Sequence, residues 1–205
     1  MAFLTDDEKR RLRQRIEAAE RQTRGELVTV IARQSDAYLF IPLLWASLVA
    51  LSIPPVVVLA DLWIDLATVS TIQLATFLLL SLLFRWTPLK MRLTPKAIKL
   101  RRAARAAREQ FLAQGVHNTS DRCGVLIYVS VAEHYVEILA DRAIDAKVAQ
   151  EEWDAIVAAF VTTVKQRRVA EGFEQAVDAC GKLLAQHFPA APGERNELPD
   201  HLIEL

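Results

Sequence analysis

The sequence predicts an α/β domain interrupted by a two-helix transmembrane hairpin, and three observations carry that prediction. LVTVI at residues 27–31 is apolar at nearly every position, as expected of a strand covered on both faces. Such a strand cannot stand alone, because its backbone donors and acceptors need a partner. The next strand-like run, GVLIYVS at residues 124–130, comes only after a long apolar stretch that holds two segments of membrane-crossing length.

The first segment, Tyr38 to Ala60, has no charge in 23 residues, and the second, Leu62 to Phe84, has one, Asp65, near its start. Each meets the roughly 20 residues needed to span a bilayer core. The connection at Ala60–Asp65 is short, so the two spans are expected to form a tight antiparallel hairpin. Pro42, Pro54 and Pro55 remove helix donors, and a kinked or frayed first span is expected from them. Trp45, Trp63 and Trp86 are candidates for the interfaces. With no charge at mid-membrane depth, the hairpin offers a poor ion path and reads as an anchor.

The soluble elements follow from local signals. Thr5-Asp6-Asp7-Glu8 fits a capping box, after which Leu12, Ile16 and Ala19 form one stripe and Gly25 is expected as a left-handed stop. Residues 95–114 read as a basic helix. A short turn at Ala132–His134 between GVLIYVS and YVEILA (135–140) predicts a β-hairpin. Two amphipathic helices follow, at Gln150–Arg168 and Glu171–His187. Phe188-Pro189 then opens a proline-bearing tail.

The net charge of zero conceals a strong asymmetry. Residues 1–37 are nearly balanced, with eight Lys/Arg and seven Asp/Glu, whereas residues 85–108 hold nine bases and no acid. From Glu109 onward there are sixteen acids against eight bases. The hairpin turn carries only acids and its outer ends carry the bases, so the positive-inside rule places both termini in the cytoplasm. For a bacterial chain that means an integral protein of the inner membrane. The charged N-terminus lacks the apolar core of a secretory signal. Cys123 and Cys180 have no metal-ligand spacing and are expected as buried, reduced thiols.

The segments TRGELVTVIA, AAREQFLAQGV, CGVLIYVS, YVEILADRAI and VAEGFEQAV, in that order, resemble the TPM domain family. The likeness covers most of residues 5–37 and 100–188. NELPD at Asn196–Asp200, with the internal hairpin, resembles a bacterial membrane-bound subgroup. The resemblance implies a three-layer α/β/α fold, a Ca²⁺ or Mg²⁺ site and acid-phosphatase-like activity. Family members often carry a GYGLEG-type stretch after the last strand. This chain has ADRAIDAKV there, without the glycines that let backbone approach a ligand.

Asp121 before one strand, and Asp141 and Asp145 after the next, stand where α/β proteins place oxygen ligands for a hard cation. Asp also serves turns and helix caps on its own account. Glu133 and Glu137 read as members of a solvated face. His117, His134, His187 and His201 are scattered, and no nucleophile elbow, phosphate loop or Cys-based phosphatase motif occurs. Arg92, Lys96, Lys99, Arg101, Arg102 and Arg105 lie close to the second span and are expected to contact anionic lipid, at about 1 kcal/mol each. Without interleaved aromatics the segment does not suit nucleic acid.

The expected organisation is thus a helix and first strand at 1–37, a transmembrane hairpin at 38–84 and a basic juxtamembrane helix at 85–108. The rest of the α/β domain occupies 109–188 and a tail 189–205. The expected partners are membrane lipids and a membrane protein. The expected role is a cytoplasmic-face binding, assembly or quality-control module, with a membrane-tethered metal-dependent phosphatase as the alternative.

Overall fold

The computed structural model describes residues 3–119, 121–190 and 197–205. Residues 191–196, which include most of the proline-bearing part of the tail and Asn196 of NELPD, lie outside the described residues. The chain forms two compact units, Met1–Ser35 with Arg101–Leu205, and Asp36–Leu100.

A mixed four-stranded sheet organises the first unit, with strands β1 (Glu26–Ala32), β2 (Gly124–Ser130), β3 (Tyr135–Ala140) and β4 (Ile203–Glu204) in the order β3-β2-β1-β4. β1 runs parallel to β2 in register from Glu26↔Gly124 to Ala32↔Ser130. β3 is antiparallel to β2, and β4 pairs parallel to β1 at Val30↔Ile203 and Ile31↔Glu204. Every residue of β1 and β2 is buried, because both faces of the sheet are covered. Leu27, Ile31, Val125, Ile127 and Val129 enter one core with side chains of α1 (Asp6–Glu20), α7 (Gln150–Lys165) and α8 (Val169–His187). Val28, Val30, Ala32, Leu126 and Tyr128 enter a second core with Ala107 of α5 (Lys96–Ala113) and Val116.

The capping box forms as the sequence predicts: the Glu8 N–H donates to Thr5 Oγ1 at 3.3 Å and the Thr5 N–H donates to Glu8 Oε2 at 2.7 Å. Helix α1 does not stop at Gly25. It ends in right-handed backbone at Arg21, and among described glycines only Gly115 has positive φ. Gly25 is constrained by space instead, since a Cβ there would sit 2.8 Å from Leu184 Cδ1. The β2–β3 turn takes its positive φ at His134. The tail departs from the sequence reading, because residues 197–205 return to the sheet as its β1-side edge. The Arg33 N–H donates to Leu205 O and the Leu205 N–H to Ile31 O, both at 2.9 Å.

The second unit contains α2 (Phe40–Leu59), α3 (Leu66–Leu83) and α4 (Thr87–Leu93). α2 and α3 pack on each other. α2 is assigned as one continuous helix that contains Pro54 and Pro55. Asp65 caps α3, accepting from the Thr68 N–H at 2.9 Å. Both helices are long and apolar enough to cross a membrane, and the most apolar windows are only 22% and 6% buried. Lys90, in the basic stretch after α3, is buried and donates from Nζ to Ala37 O at 2.8 Å.

Helices α1 and α8 meet closely at Gly181, where a Cβ would stand 2.6 Å from Ala19 Cβ. Gly→Ala inside a helix ordinarily stabilises by up to about 1 kcal/mol. Here the clash is with a helix side chain that has no rotamer to yield, so Gly181→Ala is expected to destabilise by about 1–3 kcal/mol. Thermal unfolding checks the sign, and a raised melting temperature would refute the close packing.

Candidate functional site

Two polar assemblies sit at opposite ends of the parallel β1–β2 pair. At the carboxyl end, where ligand crevices form in parallel sheets, Ser35, Tyr128, Ser130 and Glu133 form one hydrogen-bonded group. Ser35 Oγ lies 2.9 Å from Tyr128 Oη and donates to Ser130 Oγ at 2.8 Å. Ser130 Oγ donates to Glu133 Oε2, and the Ser35 N–H donates to Glu133 Oε1 at 3.0 Å. The solvated-face reading of Glu133 is therefore corrected: its side chain is 6% exposed and accepts from both strand ends. Burial pushes the Tyr128 hydroxyl up from its ordinary pKa, while its Ser35 and Ser130 partners pull the other way. These groups satisfy one another, which makes the assembly a clasp joining the end of β1 to the β2–β3 turn.

The opposite end gathers carboxylates. Asp121 precedes β2 and pairs with Arg24 at 3.5 Å. Asp141 ends β3 and caps the short helix α6 (Arg142–Asp145), with Oδ1 accepting from the Arg142 N–H at 2.7 Å and Oδ2 buried without a partner among the described residues. Asp145 closes the same helix. Asp121 and Asp141 both act electrostatically on the Cys123 thiol, offset by Arg24 and Lys147. Thus cations stand among these acids. Among the described residues no three His, Cys, Asp or Glu side chains converge as a metal-binding group.

Nucleophilic chemistry has little to draw on. Burial raises the Cys123 thiol and pushes Cys180 up to about 12, so both are thiols at neutral pH and free of disulfides. His117, His134 and His201 are exposed and His187 is half-buried at the end of α8. Glu137 accepts from Tyr135 Oη at 2.9 Å, and burial raises its carboxyl.

Glu20 and Glu26 make a further acidic pair that the sequence did not single out, near Asp200 of the tail. Glu20 Oε1 accepts from the Leu27 N–H at 2.9 Å and Glu26 Oε1 from the Glu197 N–H at 3.1 Å. Burial, with Glu26 and Asp200 nearby, raises Glu20 to about 8, against the pull of the Leu27 N–H. Of the basic residues, Arg92, Lys96, Arg101 and Arg105 are exposed, and Lys99 and Arg102 are half-buried. Arg105 pairs with Glu109 at 2.8 Å.

Residues 93–183 match the family model for the TPM domain. Over that stretch the chain is similar to the TPM domain. The match leaves out α1 and β1, although β1 pairs with β2 along its full length. A solved structure with a related fold is the NMR structure of BA42 protein from the psychrophilic bacterium Bizionia argentinensis. It is 21% identical, with a TM-score of 0.63, covering 99% of this chain and 96% of that one. No curated protein matches the chain.

Glu133→Ala strands a buried serine hydroxyl and the Ser35 N–H, each formerly bonded to a carboxylate. It is expected to cost about 2–5 kcal/mol, against less than about 1 for Arg105→Ala; denaturant titration of both variants decides. Glu20 gives a pH signature. Its folded pKa lies above its unfolded value, so the folded state holds a proton the unfolded chain has released. Stability should fall as pH rises from about 4.5 towards about 8, and Glu20→Gln should flatten that slope. An unchanged melting temperature–pH profile in the variant would remove Glu20 from this role.

Proposed function

We propose that this protein is a TPM domain anchored in the bacterial inner membrane by its α2–α3 hairpin, with both termini in the cytoplasm. There it binds membrane proteins during assembly or quality control. The observation that carries the reading is the hairpin itself. Leu59, Leu66 and Leu82 on the helices and Trp63 in their connection are each more than two-thirds exposed, and neither helix carries a charge. In water such a surface is an aggregation liability, and lipid is the solvent that suits it. A buried core helix would cover these residues, and a signal sequence would lie nearer the N-terminus. Arg92, Lys96, Lys99, Arg101, Arg102 and Arg105 supply the positive charge that holds this orientation and contacts anionic headgroups.

The alternative, a membrane-held phosphatase using Ca²⁺ or Mg²⁺, draws on Asp141 Oδ2, which is buried without a partner among the described residues, and on Asp121 and Asp145 at the same end of the sheet. The binding reading is preferred because Arg24 already pairs with Asp121 and, among the described residues, no three such side chains converge.

The full-length protein should stay with membranes through alkaline carbonate extraction. Reporter fusions at Met1 and Leu205 should register as cytoplasmic and an insertion at Leu62 as external. The opposite reporter pattern overturns the topology. Purified full-length protein should not hydrolyse a phosphomonoester with Ca²⁺ or Mg²⁺. Hydrolysis abolished by Asp141→Ala would replace the binding reading with the enzymatic one.

A further inference from the structure

β3 is the outer strand of the sheet, and among the described residues nothing pairs with its far side. The phase of its ladder is set by the Asp141 N–H donating to Gly124 O at 2.9 Å. In an antiparallel pair, residues alternate between bonding inward and facing out. Asp141, Leu139, Glu137 and Tyr135 therefore bond to β2, and Val136, Ile138 and Ala140 offer their N–H and C=O groups outward.

Beside this edge lies a groove of about 330 Å³ between β3 and the start of α7, and two further features bias what it can hold. Asp145 and Asp154 line it, with no Lys or Arg in the lining. Among the described residues neither Asp145 nor Asp154 is ion-paired, and Asp154 accepts only from Gln150; Glu137 turns its carboxylate to the other face of β3, toward Tyr135 and Arg108 of α5. Trp153 also lines the groove. It is 4% exposed, and its indole N–H has no acceptor among the described residues. A buried donor of this kind wants a carbonyl or another acceptor.

We propose that this edge and groove bind an extended, Lys/Arg-rich segment of a membrane protein, which adds a fifth strand beside β3. Backbone pairing along Val136, Ile138 and Ala140 supplies the register, and the Asp145 and Asp154 carboxylates on the α7 side select for basic side chains at alternate positions. Trp153 then finds its acceptor on the incoming segment. A second copy of the chain is a poorer occupant, because pairing two β3 edges brings the same acidic side chains together. The chain's own basic stretch is a poorer one still, being helical over Thr87–Leu93 and Lys96–Ala113. The choice of a membrane-protein partner rests on the anchoring reading above: cytoplasmic segments flanking membrane spans are rich in Lys and Arg.

The test uses the full-length protein in nanodiscs of neutral phosphatidylcholine, so that lipid does not recruit a cation. The probe is a fluorescent heptapeptide alternating Lys and Val, read by anisotropy. Binding should weaken at least tenfold in the D145N/D154N double variant, in 0.5 M salt, and with the same peptide N-methylated at every residue. Asp145 and Asp154 are exposed, and far-UV circular dichroism should show the double variant folded. No binding, equal binding of the N-methylated peptide, or indifference to D145N/D154N overturns the proposal. So does a dimer that dissociates with Ile138→Pro, which would assign the edge to a second copy. Failure here with cytoplasmic reporters leaves the anchor standing. External reporters with intact peptide binding defeat the anchored topology, and with it the choice of a cytoplasmic partner, while the basic-strand site itself stands.

Discussion

The pairing of β1 with β2 is the constraint on which the rest of the first unit depends. Neither strand is amphipathic, and each can be stable only with a neighbour on an edge and a layer on each face. The partners lie nearly a hundred positions apart. Closing so long a connection costs only about 2 kcal/mol more than closing one of ten residues. Four fully buried aliphatic side chains of β1, Leu27, Val28, Val30 and Ile31, offset that several times over at about 1.5–3 kcal/mol each. An insertion the size of α2 and α3 is therefore thermodynamically tolerable at this connection.

The clasp at the strand ends shows how that connection is kept in place. Ser35 is the last residue of the first unit before the chain leaves for α2, and its N–H and hydroxyl are both engaged by β2 and the turn behind it. A buried carboxylate network such as that of Glu133 gains little over an apolar packing of the same site, because desolvation opposes its hydrogen bonds, although removing Glu133 alone strands its partners. What it supplies is direction: the network forms only when β1 and the β2–β3 turn are in this register. The same saturation disfavours catalysis there, since a hydroxyl already bonded on both sides is a poor nucleophile without a base to release it.

Local signals made the frame legible in the sequence, while long-range contacts hid the details. The strands at 124–130 and 135–140 and the capping box at Thr5–Glu8 depend on periodicity and near neighbours, and each appears where the pattern placed it. β4 has two paired residues and no alternation to announce it, so the return of the tail to the sheet could not be read. Glu133 and Lys90 carry charge, which argues for exposure until the distant partners that bury them are known. Gly25 failed in a different way. Its position after a helix suggested a backbone role, whereas the constraint is the Leu184 side chain contributed by α8.

The uneven charge of the chain gains a use from this arrangement. In the proposed topology the basic block stays near anionic headgroups, where each base gains roughly 1 kcal/mol. The acids of the second half are divided between two jobs. Some, such as Asp121 and Glu174, are matched by Arg24 and Arg11 across the fold. Others, Asp145 and Asp154, have no ion-pair partner among the described residues and stand beside the one long sheet edge left open. Open edges invite unwanted pairing, and proteins commonly blunt them with charge. Acidic side chains on this edge repel acidic and like-chain strands while admitting basic ones, so the feature that protects the edge also selects its partner.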